Sequence, residues 1–227
     1  MLSFFVFFPL LGFLSLLFIS KKYEKSLKLV AFNSSCMSFA LFLYFLGIYK
    51  KSIGLFQFVE HFSWINFYVE PFLSISPLYI NFILGVDGIS LFFIFVTTLL
   101  IPLCILTSWN SVSSNLKEFL LSFLILSFFL IGTFCILDLL FFYIFFESVL
   151  IPMFLIIGIW GSRERKILAA YYFFLYTLLG SVLMFLGIIY ILSQVGTTDY
   201  QTLLIFTFSG LEEKILWLMF FLTFASK

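Results

Sequence analysis

The feature that most constrains this chain is a series of long segments without a charged side chain. Asp, Glu, Lys and Arg are all absent from residues 1–20, 29–49, 88–116, 119–137 and 167–198. A helix needs roughly 20 mostly apolar residues to cross the hydrocarbon core of a bilayer. The whole sequence is 10% charged, against about 25% in soluble domains. We therefore predict an all-α, polytopic membrane protein; the strands of a membrane barrel would alternate polar and apolar residues instead.

Hydropathy and charge together predict about seven membrane segments. The first is interpreted as a span rather than a signal peptide, because it lacks a basic start and a small-residue cleavage site. The stretch LYINFILGVDGIS, 78–90, predicts a short extended segment that leads into the third span. The approximate bounds of the spans are 2–20, 27–49, 85–108, 118–137, 139–160, 168–193 and 213–227.

The Lys and Arg residues of the loops are distributed unevenly between the two sides. Lys50, Lys51 and Lys214 lie on one side, and eight lie on the other: Lys21, Lys22, Lys25, Lys28, Lys117, Arg163, Arg165 and Lys166. The positive-inside rule places the side with eight charges in the cytoplasm or the mitochondrial matrix. The N-terminus is then expected in the opposite compartment. Phe accounts for 37 residues, which is typical of an A+T-rich gene and hints at an organellar genome.

Composition also excludes several function classes. The net charge of +1 says nothing about partners, and the sequence shows no basic face that would suggest a nucleic-acid partner. Cys36, Cys104 and Cys135 lie in apolar runs without the spacing of a metal site, so we interpret them as packing residues. The sequence shows no flavin, haem or iron–sulfur motif, and we expect no cofactor on this chain.

Glu147 is the most unusual residue, because it interrupts the apolar run FFYIFFESVLIP. It lies about 12 Å into the fifth span at about 1.5 Å per residue. A charged side chain at such a depth costs about 2.5–3.5 kcal/mol on insertion scales, so it must face the protein interior, find a partner or become neutral. Glu147 is therefore a candidate proton carrier; the alternative is a neutral Glu that hydrogen-bonds between helices.

Lys227 is the second charge at membrane depth, about 20 Å along a helix from Lys214. A buried Lys can also carry protons, whereas a Lys at an interface snorkels towards water. The residues alone leave both alternatives open.

Other polar and helix-breaking positions have less specific interpretations. Asp138 is predicted to cap the fifth helix, and Pro152 is predicted to kink it. In the sixth span, Tyr172, Tyr176, Thr177, Gly180 and Ser181 are predicted to lie mostly along one face, where small residues and hydroxyls favour close helix packing.

Two blocks of this sequence closely resemble chain 4 of NADH:ubiquinone oxidoreductase, respiratory complex I. They are LGVDGISLFF at 84–93 and LDLLFFYIFFESVLIPMFLIIGIWGSRERKILAAYYFFLYTLLGSV at 137–182. The resemblance covers most of 80–227 and is weak before that. It implies an antiporter-like fold of inverted repeats, of which this chain is the first half. The chain then divides into 1–84, two membrane helices plus a loop on the intermembrane side, and 85–227, the start of the antiporter-like bundle.

The resemblance also implies site residues, partners and a location. Glu147 matches the family's glutamate on the fifth helix, and Lys227 in FASK matches its lysine at the break of the discontinuous seventh helix. Together they would begin a proton path. The implied location is the mitochondrial inner membrane with the N-terminus on the intermembrane-space side. The implied partners are other membrane subunits of the complex and lipids such as cardiolipin.

The sequence departs from the family's pattern because it ends at the break of the seventh helix. Either a second polypeptide carries the C-terminal half of chain 4, or the gene sequence is truncated; we expect the former. Two rival functions remain at this stage. They are a component of a stand-alone cation/proton antiporter and a purely structural membrane subunit.

Overall fold

A computed structural model describes residues 1–50, 56–67, 78–112 and 114–227. Long helices dominate these ranges, and two strands lie between the second and third helices. The helices are α1 Leu2–Phe18, α2 Glu24–Ile48, α3 Gly88–Thr107, α4 Leu116–Cys135, α5 Leu139–Ser148, α6 Leu150–Trp160, α7 Lys166–Val195, α8 Tyr200–Leu203 and α9 Gly210–Ser226, and the strands are β1 Gln57–Phe67 and β2 Leu78–Val86.

Five helical stretches are long and apolar enough to cross a membrane, with α5 and α6 counted together as Leu139–Trp160. The other four are α2, α3, α4 and α7. The first predicted span corresponds to the shorter apolar helix α1, and the seventh to the 17-residue helix α9. The chain is therefore a multi-pass helical membrane protein, whereas the number of seven spans stays a prediction.

The strands β1 and β2 form an antiparallel hairpin that covers one end of the helix bundle. β2 is the extended segment that the sequence predicts before α3. The pairing of β1 with it is not predicted, and 51–55 and 68–77 of the connection lie outside the described residues. The Leu137 N–H donates to the Ile83 carbonyl at 2.9 Å, and the Tyr79 N–H donates to the Gly196 carbonyl at 2.8 Å. The hairpin is thus joined to the α4–α5 and α7–α8 links, and we call this side the hairpin end.

Asp138 is the cap of α5, as predicted, and it links the start of α5 to Thr198 at the hairpin end. Its Oδ1 accepts from the Leu140 and Phe141 N–H groups at 3.0 Å each. Its Oδ2 accepts from the Thr198 hydroxyl at 2.5 Å. Burial raises the pKa of the Asp138 carboxyl, an effect that these donors oppose.

The opposite end of the bundle carries the loops in which the eight Lys and Arg residues cluster, and we call it the basic end. Lys21 pairs with Glu118 between the α1–α2 loop and α4. The Lys117 ammonium donates to the Leu17 and Ile19 carbonyls at 2.8 Å each. At the α6–α7 loop, the Trp160 indole donates to the Ser114 carbonyl at 2.9 Å. These contacts confirm that the basic loops share one side.

The core of the described bundle forms around α4, which packs against α1, α2, α3, α5 and α6. In a membrane the apolar surface alone does not drive helix association, so close packing of side chains carries much of the stability. One such contact positions the candidate site: a Cβ on Gly132 would lie 2.2 Å from the Phe145 ring. Only Gly at this position leaves room for the ring against α4, and the contact restricts the rotation of α5.

Candidate functional site

The helix that carries Glu147 is interrupted immediately after it. α5 ends at Ser148 and α6 begins at Leu150. Pro152 lies two residues into α6 and has no N–H to donate to the Ser148 carbonyl, so this turn lacks one bond of the hydrogen-bond ladder. Val149, between the two helices, keeps helical backbone angles of φ −58° and ψ −30°, and the kink at Pro152 stays a prediction. The last carbonyls of α5 lie beside Glu147, and the last carbonyls of any helix lack partners within it.

The rotation of α5 turns Glu147 away from α4. Phe145 is buried against α4, and the residue two positions later lies about 200° around a helix of about 3.6 residues per turn. Glu147 consequently faces the side where α7 and α9 pack. Its side chain is only 16% exposed, so the carboxylate lies in the protein rather than at its surface.

Helix α9 is held in place at both ends. At its start, Ser209 and Glu212 form a reciprocal capping box, which satisfies two unpaired groups of the first turn. Near its end, the Thr223 hydroxyl donates to the Gly180 carbonyl of α7 at 2.8 Å. A Cβ on Gly180 would lie 1.8 Å from the Ser226 Oγ, so Gly180 is required for this close approach. This contact places Lys227, the residue after Ser226, beside α5.

The structure brings the two predicted site residues together. The Lys227 Nζ lies 3.8 Å from the Glu147 Oε1, and each side chain is 16% exposed. At this distance the two groups form an ion pair, but they are too far apart for a direct hydrogen bond. Among the described residues, Glu147 Oε1 is buried without a hydrogen-bond donor. The carboxylate is thus held mainly by the charge of Lys227, and a change in either group's protonation would alter the pair strongly.

Lys227 makes two further contacts, both with Phe146. Its ammonium donates to the Phe146 carbonyl at 2.6 Å and lies 3.1 Å from the centre of the Phe146 ring. The carbonyl belongs to the last turn of α5, where the negative end of the helix dipole favours a cation. The break in α5–α6 therefore supplies Lys227 with a second stabilising group besides Glu147.

The residues predicted to form a polar face on the sixth span do not all lie on one side of the helix in the structure. Thr177 and Ser181 are buried at 3% and 1% exposure, whereas Tyr172 and Tyr176 are 66% and 64% exposed. The prediction of one shared face was wrong for these tyrosines, because a one-residue step from Tyr176 to Thr177 is about 100° of rotation. Thr177, Gly180 and Ser181, at i, i+3 and i+4, do lie on one side.

Tyr143 is a residue at the site that the sequence analysis did not identify. It lies four positions before Glu147 on α5, so both side chains project from one face. Its ring stacks on Phe185 of α7, with centroids 5.0 Å apart and planes at 25°. The four-residue spacing was the available signal, but many aromatic residues in this chain share such spacings.

The described residues contain no group of three or more His, Cys, Asp or Glu side chains arranged to hold a metal ion. The arrangement at Glu147 consists instead of one acid, one amine and nearby hydroxyls. A carboxylate and an amine can each take up and release a proton.

Comparison with known proteins identifies the family. Residues 136–227 match the family described as NADH:quinone oxidoreductase/Mrp antiporter, TM. Proteins named NADH-ubiquinone oxidoreductase chain 4 match nearly the whole chain: that of Prototheca wickerhamii is 51% identical over 96% of it, and that of Marchantia polymorpha is 47% identical over 100%. The chain belongs to the chain 4 family. It spans about 43% of the length of the Prototheca chain 4 and 44% of the Marchantia chain 4.

A solved structure contains a chain with a similar fold. The structure of respiratory complex I from Thermus thermophilus with bound NADH contains a chain that is 25% identical, with a TM-score of 0.77. The match covers 99% of this chain and 43% of that one. The antiporter-like fold expected from the sequence is thereby confirmed for the chain 4 segment described here.

Proposed function

We propose that this chain is part of a proton-translocating membrane-arm subunit of NADH:ubiquinone oxidoreductase, in which Glu147 and Lys227 transfer protons as a pair. The supporting observation is the 3.8 Å approach of two weakly exposed charges inside an apolar bundle. Intramembrane charges are costly, which favours a role in transport. The relatives at about 50% identity are named NADH-ubiquinone oxidoreductase chain 4, which supports assigning the proposed role to a subunit of that enzyme.

The pair acts as an electrostatic switch. Two unit charges at the 3.8 Å separation of this pair interact by about 4 kcal/mol at an effective dielectric of about 20. When Glu147 is ionised and near, Lys227 keeps its proton. When Glu147 is neutralised or drawn away, the ammonium loses its counter-charge and gives its proton to the next carrier. The residues described here bind and move protons, and electron transfer from nicotinamide to quinone takes place on other subunits of the complex.

The proposed location is the mitochondrial inner membrane, with the hairpin end and the N-terminus on the intermembrane-space side. The asymmetry of eight basic loop residues against three supports this orientation. Other membrane subunits of the complex are the proposed partners, and lipids such as cardiolipin would fill the remaining gaps at its surface.

We also propose that a second polypeptide carries the remaining length of chain 4 and packs on α7 and α9. The exposed side chains of α9 support a protein cover there: Trp217 is 64% exposed and stacks on Phe221, which is 51% exposed. The test is denaturing gel electrophoresis of the purified complex followed by mass spectrometry of the bands. Peptides of the C-terminal half should come from a different band than peptides of this chain. A single continuous polypeptide carrying both halves would contradict it.

The direct test of the proposed function is Glu147→Gln in the assembled complex. Gln keeps the shape of the side chain but cannot ionise, so NADH-driven proton uptake by reconstituted vesicles should fall strongly while assembly survives. Glu164→Gln is the matched control, because Glu164 is an exposed carboxylate at the basic end, and it should pump normally. Normal pumping by Glu147→Gln would refute the switch.

The same assays separate the two rival functions. A purely structural subunit would tolerate an apolar replacement of Glu147, and Glu147→Leu would then support growth on a respiratory substrate. A stand-alone antiporter component would drive Na⁺-dependent proton movement without the rest of the complex. The family that matches 136–227 includes Mrp antiporters, whereas the long matches carry the name of complex I chain 4.

A further inference from the structure

We infer that Phe146 is a positioning residue, whose ring holds the Lys227 ammonium in place when Glu147 is neutral or drawn away. The inference rests on the proposed function and deepens it, because the switch requires Lys227 to keep its position after its counter-charge is lost. It starts from the two contacts that Lys227 makes with Phe146.

Both contacts of the Lys227 ammonium with Phe146 are closer than its approach to Glu147. The Nζ lies 2.6 Å from the Phe146 carbonyl oxygen and 3.1 Å from the centre of the Phe146 ring, but 3.8 Å from the Glu147 Oε1. Neither the carbonyl nor the ring changes when Glu147 takes up a proton. Phe146 therefore contacts the ammonium in both states of the pair.

The ring of Phe146 supplies an attraction that the carbonyl alone does not. A Lys ammonium has three N–H donors, and the carbonyl accepts from only one of them. The Lys227 side chain is 16% exposed, so water has little access to the other two. The face of an aromatic ring is its negative side, and it attracts a cation most strongly where both are desolvated. The ring therefore stabilises the ammonium where water cannot.

Neighbouring aromatic rings hold the Phe146 ring in this position. Phe142 stacks on it with centroids 5.4 Å apart and planes at 22°. Phe224 packs on it at 5.9 Å with planes at 72°. Because Phe224 lies three residues before Lys227 on α9, the same helix brings both the ammonium and one of these rings. The contacts of the Phe146 ring thus do not depend on where the Glu147 side chain lies.

The test compares an aliphatic and an aromatic replacement of Phe146 in the assembled complex. Phe146→Leu removes the ring and keeps the backbone carbonyl, so NADH-driven proton uptake by vesicles should fall about tenfold. Phe146→Trp keeps an aromatic face and should pump at a near-normal rate. Trp changes the side-chain volume more than Leu does, so a role in packing alone predicts the opposite order of the two variants.

Phe154→Leu is the matched control for the loss of a ring. Phe154 lies on α6 and packs against Tyr171 and Phe174 of α7, with centroids 5.5 Å apart in each pair. This variant should pump normally when rates are compared per assembled complex. Loss of assembly in Phe146→Leu but not in Phe154→Leu would show that the Phe146 ring serves packing, and would overturn the inference.

The order of the pumping rates decides the remaining outcomes. Normal pumping by Phe146→Leu, or a Phe146→Trp variant that pumps no faster than Phe146→Leu, would also overturn the inference. If Glu147→Gln stops pumping while Phe146→Leu pumps normally, the inference fails and the proposed function stands. If Glu147→Gln pumps normally, the proposed function itself fails, and the inference fails with it.

Discussion

Replacing Gly180 by Ala should separate α7 from α9 and weaken the Glu147–Lys227 pair. The new Cβ would lie 2.6 Å from the Ser226 Cβ, and rotation of the Ser226 hydroxyl cannot relieve that contact. Ordinary contact begins near 3.4 Å, so the helices must move apart by about 0.8 Å. Overpacking of this kind costs about 1–3 kcal/mol.

The displacement also affects the charged pair that α9 carries. Moving Lys227 from 3.8 Å to about 4.6 Å weakens the interaction by about 1 kcal/mol at an effective dielectric of about 20. The Thr223 hydrogen bond to Gly180, now 2.8 Å, would lengthen beyond the range of a hydrogen bond. We therefore expect Gly180→Ala to lower both the stability of the subunit and the proton-uptake rate.

Two further variants provide a control and a rescue for this prediction. Gly47→Ala, in α2, has nothing within 4 Å of the new Cβ and should gain up to about 1 kcal/mol of helix preference. Ser226→Gly removes the clashing atoms and should restore pumping in the Gly180→Ala background. The measurements are subunit retention on native gels and proton uptake by vesicles. If Gly180→Ala behaves like Gly47→Ala, or if Ser226→Gly gives no rescue, the packing argument is wrong.

Two other predictions test the ends of the bundle. Thr198→Val removes one hydrogen-bond donor from the buried Asp138 and should lower the stability of the subunit by about 1–3 kcal/mol. On native gels, the subunit should then be lost from the complex at a lower temperature. The exposed control Thr107→Val should have little effect, and equal losses in the two variants would contradict this account. A Cys at His61 should react with an impermeant maleimide from the intermembrane-space side, whereas a Cys at Lys22 should react only after the membrane is permeabilised. The reverse labelling pattern would invert the proposed orientation.

Much of the site could be predicted because its chemistry is rare in a membrane. Glu147 is conspicuous in an apolar run, and the resemblance to chain 4 directs attention to Lys227. The structure places the two side chains in contact, although their proton-transfer role stays a proposal. Charge counting also identified the basic end correctly, since the alternation of spans determines which loops meet.

The features that the sequence did not reveal depend on long-range contacts. The hairpin joins β1 and β2 across a connection whose apolar pattern is weak, so pairing could not be read from either strand. Tyr143 is one of many aromatic residues, and only its contacts with α7 distinguish it. The Phe146 carbonyl becomes a ligand for Lys227 because α9 reaches the break after α5. These contacts could not be predicted from local sequence, because each joins residues that are far apart along the chain.

The most direct test of the central claim is a double-mutant cycle on proton uptake with Glu147→Gln, Lys227→Met and the combined variant. Residues that act as one unit are not additive, so the double variant should pump no more slowly than the slower single variant while the complex stays assembled. Independent, multiplying losses would show that the two residues do not act as a pair, and near-normal rates in the single variants would contradict their role in proton transfer.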